Sequence, residues 1–169
     1  MSLSAVIKDI SENWLDYRNH CLDKSKTGAV IRKVKEDHKI YDLVTSNWKD
    51  LISDNVNKKK YLVDSSLGKG LLSAAPWLTV MDRSVTDSAT EGFYVVYLFS
   101  RSAKKLYLAI GIGATQFQDI YGMTKLALEK IDQANKKFFE LFKKYQPENT
   151  ITQIKILEDD LDLEDPIKG

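Results

Sequence analysis

The segment 92–100 (GFYVVYLFS) constrains the fold more than any other part of the chain. In a strand, successive side chains point to opposite faces. Tyr94, Val96 and Leu98 then share one face, and Phe93, Val95, Tyr97 and Phe99 share the other. Both faces are apolar, so neither is turned simply to water. One must cover a hydrophobic core, and the other must be buried by helices or line a pocket. Segments 61–64, 77–81 and 105–112 are also rich in Val, Ile, Tyr, Phe and Leu, with clusters of Gly, Ser, Asp and Thr between them. That is the pattern of strands and turns.

Helical periods flank this region. In 3–20, Leu3, Ile7, Ile10, Trp14 and Tyr17 recur every three or four residues, with Ser2 or Ser4 placed to cap the start. Residues 23–28 read as a turn. Residues 29–53 read as a second helical region, with Val30, Val34, Ile40, Leu43, Val44, Trp48, Leu51 and Ile52 as its apolar set. The stretch 55–60 (NVNKKK) is a basic loop. A third helix is predicted over 123–145 and stopped by Pro147, with one further strand over 150–157. The expected fold is α+β. Its curved, largely antiparallel sheet, up to a partial barrel, is flanked by N-terminal helices and a C-terminal helix. At 169 residues, one domain over 1–157 is expected, with 158–169 as an acidic linker or frayed tail.

Composition narrows the chemistry. Cys21 is the only cysteine, and His20 and His38 are the only histidines. An internal disulfide framework and a cysteine zinc cluster are therefore excluded. The motif 68–70 (GKG) is followed by Leu71, not by the pattern of a phosphate loop, and 111–113 (GIG) lacks the third glycine of a dinucleotide site. No apolar run approaches a membrane span, and the N-terminal residues do not have the layout of a secretory signal. A cytoplasmic binding domain without a cofactor is expected, rather than an enzyme. The net charge is +1, but residues 1–146 hold 23 basic against 17 acidic residues, a net +6. A basic body suits a polyanion partner.

Trp77, just after Pro76, can face a pocket beside the strand 92–100. A tryptophan and a tyrosine (Tyr94) with a leucine floor (Leu98) suit a flat aromatic ligand, as in sites that hold flipped nucleobases. The plainer alternative is that all three residues are core, the commoner fate of aromatic residues in strands. Lys58, Lys59 and Lys60, and Arg83 and Arg101 in loops beside the pocket strands, are candidates for phosphate contacts; a solvated surface is the alternative. Lys24, Lys26, Arg32, Lys33 and Lys35 form a second basic strip.

The run from Ser65 to Gly113 resembles the MrcB-like N-terminal domain family, the DNA-recognition part of McrB-type restriction proteins. The resemblance rests on Ser66, Gly68 and Gly70, on Pro76-Trp77, on the continuous run from Gly92 to Phe99, and on Tyr107, Leu108 and Gly113. It implies a domain that binds double-stranded DNA carrying a modified cytosine and flips that base into a pocket. The pocket positions fall on Trp77, Tyr94 and Leu98. A further aromatic that the best-understood member of the family carries between the two glycines falls here on Lys69, which suits a phosphate or a base acceptor edge. The resemblance also implies a fused or associated module for nucleotide hydrolysis or DNA cleavage. Two rivals remain: a PUA-like or EVE-like reader of another modified base or of RNA, and a structural protein-interaction domain.

Overall fold

The computed structural model describes residues 1–145. Helix α1 runs Leu3–His20, and Ser2 caps it by accepting the Ala5 amide at 3.3 Å. Its buried stripe is Val6, Ile10, Trp14 and Tyr17, the spacing of one helix face. Leu3 and Ile7 pack at its margin.

A hairpin follows, with β1 (Leu22–Lys24) antiparallel to β2 (Val30–Arg32). This corrects the helix expected from residue 29. The Gly28 amide donates to the Ser25 carbonyl and the Ala29 amide to Ser25 Oγ, which closes a turn. The β-branched Val30 and Ile31 then continue as strand. Their spacing to Val34 imitates a helix, but the turn chemistry wins. The helical region proper comprises α2 (Lys39–Asp42), a π-helical stretch (Leu43–Trp48) and α3 (Lys49–Ser53). His38 Nδ1 caps α2 by accepting the Ile40 amide at 3.2 Å. Ile40, Val44, Trp48 and Ile52 are all buried. Their four-residue spacing exceeds the 3.6 residues of an α-turn, and the wider π-turns keep all four on the core side.

Strands β3 (Tyr61–Ser66), β4 (Trp77–Asp82), β5 (Phe93–Phe99) and β6 (Leu106–Ile112) form an antiparallel meander in that order. The sheet is open, with β3 and β6 at its edges. Val63, Leu78 and Phe99 are buried on the face that meets the helices. Trp48 stands edge-on to Tyr97 and Phe99, with centroids 6.3 and 5.4 Å apart. Ser65 Oγ donates to the Val44 carbonyl at 2.7 Å, which ties the π-helical stretch to β3. Each large side chain buried here contributes about 1.5–3 kcal/mol.

Beyond the sheet, α4 (Thr115–Tyr121) buries no residue, so no apolar stripe announces it in the sequence. Helix α5 (Lys125–Tyr145) realises the C-terminal helix. It stacks Phe138 on Phe93 at 4.5 Å and 20°, at the far end of the core face. Pro147, the strand expected over 150–157 and the acidic tail 158–169 lie outside the described residues. Among the described residues, no helix is long and apolar enough to cross a membrane.

Candidate functional site

The register of the meander decides which side chains meet. Trp77 lies directly opposite Leu98, Thr79 opposite Val96, and Leu98 opposite Tyr107. Opposed residues of an antiparallel pair project to the same face. Trp77, Tyr94, Val96, Leu98 and Tyr107 therefore share the face turned away from the helices, and all five are half-buried. Leu98 also packs against the core. Tyr94 sits four residues from Leu98, roughly 13 Å along the strand, so the two aromatic rings mark opposite ends of this face. The Tyr94 ring lies across Gly111, where an added Cβ would come within 2.6 Å of Tyr94 Cε2. Its hydroxyl donates to the Ala89 carbonyl at 3.0 Å. Burial pushes the Tyr94 phenol above its ordinary pKa.

The basic candidates divide between the two ends of the sheet. Lys58, Lys59, Lys60 and Arg83 lie at the Tyr94 end, where the Arg83 amide donates to the Lys60 carbonyl. Two of these lysines face carboxylates. Lys58 pairs with Asp54 at 2.6 Å, and Lys60 pairs with Asp82 at 3.6 Å. Lys60 also sits over the Tyr61 ring, and Tyr61 and Asp82 hold its ammonium above the usual range. Lys59 and Arg83 are exposed. Such surface pairs are weak, roughly 0–1 kcal/mol, so they trim the local positive charge without removing it.

Lys69 and Arg101 lie at the other end, beside Trp77 and Leu98. Lys69 is exposed at the tip of a loop that docks on the hairpin. The Val34 amide donates to the Gly70 carbonyl, and the Leu72 amide to the Arg32 carbonyl. Gly68 has φ +113, and a Cβ there would strike the Leu71 carbonyl; only glycine fits this bend. Arg101 follows β5, and its carbonyl accepts the Trp14 indole N–H at 2.8 Å.

A cleft of about 250 Å³ opens at this end, lined in part by Arg18, Arg32, Ser73, Ala74 and Arg101. Trp77, Tyr94 and Leu98 do not line it. Of the second basic strip, Arg32 lines this cleft, and Lys33 pairs with Asp23 at 2.8 Å. Arg18 was missed by sequence reasoning. The signal was present: it falls four residues after Trp14, on the buried stripe of α1, with its guanidinium 5.9 Å from the Trp14 ring centroid. Among the described residues, no cluster of three or more His, Cys, Asp or Glu is placed to hold a metal ion.

No curated protein and no solved structure matches the chain. The pattern that defines the MrcB-like N-terminal domain matches residues 11–165. That span takes in the second half of α1, the hairpin, the whole sheet and α5, well beyond the segment 65–113 that carries the resemblance in the sequence. The chain therefore belongs to the MrcB-like N-terminal domain family, the DNA-binding N-terminal domains of McrB-type restriction proteins.

Proposed function

We propose that this domain recognises duplex DNA carrying a modified cytosine and holds that base, flipped out of the helix, on the face that carries Trp77, Leu98 and Tyr94, stacked at its Trp77–Leu98 end with Tyr94 at the far end. The observation that carries the reading is the Trp77–Leu98 register. It sets a half-buried indole across from an aliphatic floor, on the sheet face opposite Val63, Leu78 and Phe99. Flipping costs a few kcal/mol. Stacking on an aromatic ring contributes roughly 1–3 kcal/mol per base, and hydrogen bonds to the base edge supply the rest. Lys58, Lys59, Lys60 and Arg83 contact the DNA backbone at one end of the face, and Lys69 and Arg101 at the other. The recognition domain extends to about residue 157 and continues into an acidic linker. Cleavage and nucleotide hydrolysis belong to a fused or associated module of the same prokaryotic, cytoplasmic system, and this domain works without a cofactor.

A second use is favoured for the opposite face. Val95, Leu108 and Ile110 share the helix side of the sheet, yet they are 39%, 65% and 46% exposed. An apolar patch of this kind fits a protein contact, and the effector module is its natural occupant.

The test is a binding panel of otherwise identical duplexes carrying unmodified cytosine, 5-methylcytosine, 5-hydroxymethylcytosine or 6-methyladenine. A modified-cytosine duplex is expected to bind tightest. Trp77→Ala should remove roughly 1–3 kcal/mol of that affinity and most of the discrimination, leaving the salt-dependent background. Equal affinity for all four duplexes, or a folded Trp77→Ala protein with full selectivity, refutes the reading.

A further inference from the structure

We propose that the outer edge of β6 is a docking site for residues 150–157 of this chain, which add to the sheet as a fifth, antiparallel strand and carry the acidic run 158–165 to the Trp77 end. The edge is built like an interior strand. Among the described residues, β6 pairs with no strand but β5, yet its sequence, LYLAIGI over 106–112, holds no charged residue and no proline. Sheet edges that face water are ordinarily blunted by such residues. The other edge, β3, follows that rule. It carries Asp64, which pairs with Lys49 at 3.4 Å, and Ser65 Oγ ties it to the π-helical stretch. On β6, by contrast, Leu108 and Ile110 are 65% and 46% exposed.

The sequence supplies the occupant. Residues 150–157 (TITQIKIL) alternate as a strand does, with Thr152, Ile154 and Ile156 on one face. That set fits beside Leu108 and Ile110, as neighbouring strands pair their apolar side chains. The segment is as long as β6 to within one residue. It also falls inside the span 11–165 that matches the family pattern. A strand added at an edge gains main-chain hydrogen bonds and lies in the plane of the sheet. It therefore widens the apolar face offered to the effector module and does not cover it.

Reach and direction follow from α5. Phe138 stacks on Phe93, and Phe93 lies opposite Ile112, so α5 passes the Ile112 end of β6. From there α5 runs on to Tyr145, about 10 Å at the helical rise. Residues 146–149 span up to about 14 Å, enough to bring residue 150 back to the Ile112 end. A strand that starts there and runs toward Leu106 is antiparallel to β6, like every other pair in this sheet. It finishes at the end that holds Trp77, Leu98 and Tyr107. Lys69 and Lys104 are exposed at that end. The carboxylates of 158–165 (EDDLDLED) arrive among these positive charges, within the roughly 10 Å over which exposed charges attract. The consequence for binding rests on the DNA reading above: the acidic run competes with the DNA backbone for that end of the face and restrains binding.

The experiment follows amide hydrogen exchange residue by residue in the full chain and in its Gln153→Pro/Ile154→Pro double variant, with duplex titrations of both. Every second amide of β6 points away from β5. In the wild type these outward amides are expected to exchange about as slowly as the inward ones. The double variant should free them while β4 and β5 stay protected, because one of two neighbouring amides must face β6 and proline has none to donate. The variant changes no charge, yet it should bind duplex about fivefold more tightly at low salt, the weight of released surface ion pairs, and equally at high salt. Rapid exchange of the outward amides in the wild type overturns the fifth strand, and this arm needs no variant to fold. Protection that survives the prolines also overturns it; if that protection falls on dilution, the edge belongs to a second copy of the chain. Freed amides without tighter binding overturn the restraint and leave the strand in place. A wild-type chain that binds no duplex overturns the DNA reading, and the restraint with it, while the exchange pattern still decides the strand.

Discussion

Gly111→Ala tests whether Tyr94 is locked in place by the strand beside it. Gly111 lies directly opposite Tyr94 in the register of β5 and β6. A Cβ built there would sit 2.6 Å from Tyr94 Cε2 and 3.2 Å from Cδ2 and Cζ. Ordinary carbon contacts begin near 3.5 Å, so the ring must move by about 1 Å. It cannot simply swing away, because its hydroxyl is held by the Ala89 carbonyl at 3.0 Å. Overpacking of this kind costs roughly 1–3 kcal/mol, which includes the 0.5–1.5 kcal/mol of a strained or lost hydrogen bond. Replacing a strand glycine returns roughly 0.5–1 kcal/mol of backbone entropy. The net loss is then about 1–2 kcal/mol. At ~2–4 °C per kcal/mol for a chain of this size, the melting temperature should fall by several degrees. The assay is a double-mutant cycle in urea, followed by tryptophan fluorescence. In a Tyr94→Ala background, Gly111→Ala should be neutral or stabilising, since the three nearest atoms all belong to Tyr94. An equal loss in both backgrounds refutes the locking argument. Gly111→Ala should also weaken binding to modified duplex through the displaced ring.

Further outcomes follow from other parts of the molecule. Burial, with Cys21 beside it, raises the Tyr17 phenol, and burial raises that of Tyr94. Folding then favours both neutral rings at every pH below the unfolded value of about 10, and that advantage is lost as pH rises through the folded values. Tyr17 and Tyr94 should ionise later in the folded protein than in the denaturant-unfolded chain, a lag visible in tyrosinate absorbance and lost in the Tyr17→Phe/Tyr94→Phe double variant; a folded protein without that lag refutes it. Leu108→Lys, on the opposite face from Trp77, should leave duplex affinity within about twofold. A larger fall would place the DNA on the other side of the sheet. Phe138→Ala removes the stack on Phe93, whose aromatic pairing contributes about 0.5–1.5 kcal/mol beyond area burial. Hydrogen exchange should speed up in α5 before it does in β4 and β5, and uniform loss of protection would show that α5 is held by something else.

Much of the architecture was legible because local chemistry carries it. The three- and four-residue spacing along 3–20 announces α1, and the doubly apolar run 92–100 announces a central strand with something on both faces. Periodicity and turn residues act over a few positions, so they survive without knowledge of the fold. They misled where two signals overlapped: Val30 and Val34 mimic a helix, while the Ser25–Gly28 turn makes a hairpin. They were silent at α4, which buries nothing.

The candidate site divides along the same line. That Tyr94 and Leu98 share a face follows from strand alternation alone. That Trp77 stands opposite Leu98 does not, because register is settled by the loops between the strands and by core residues such as Leu78 and Phe99 packing under Trp48. Lys58 has Asp54 four residues before it in the chain, but Lys60 reads as free positive charge until the β3–β4 pairing brings Asp82 beside it. The arginine cleft assembles positions 18, 32 and 101, which no local pattern connects. Sequence alone determined the kinds of element and the composition of the faces, since those depend on near neighbours. Tertiary structure decided which charges are neutralised and which are gathered, since Coulomb interactions and desolvation depend on distance in space.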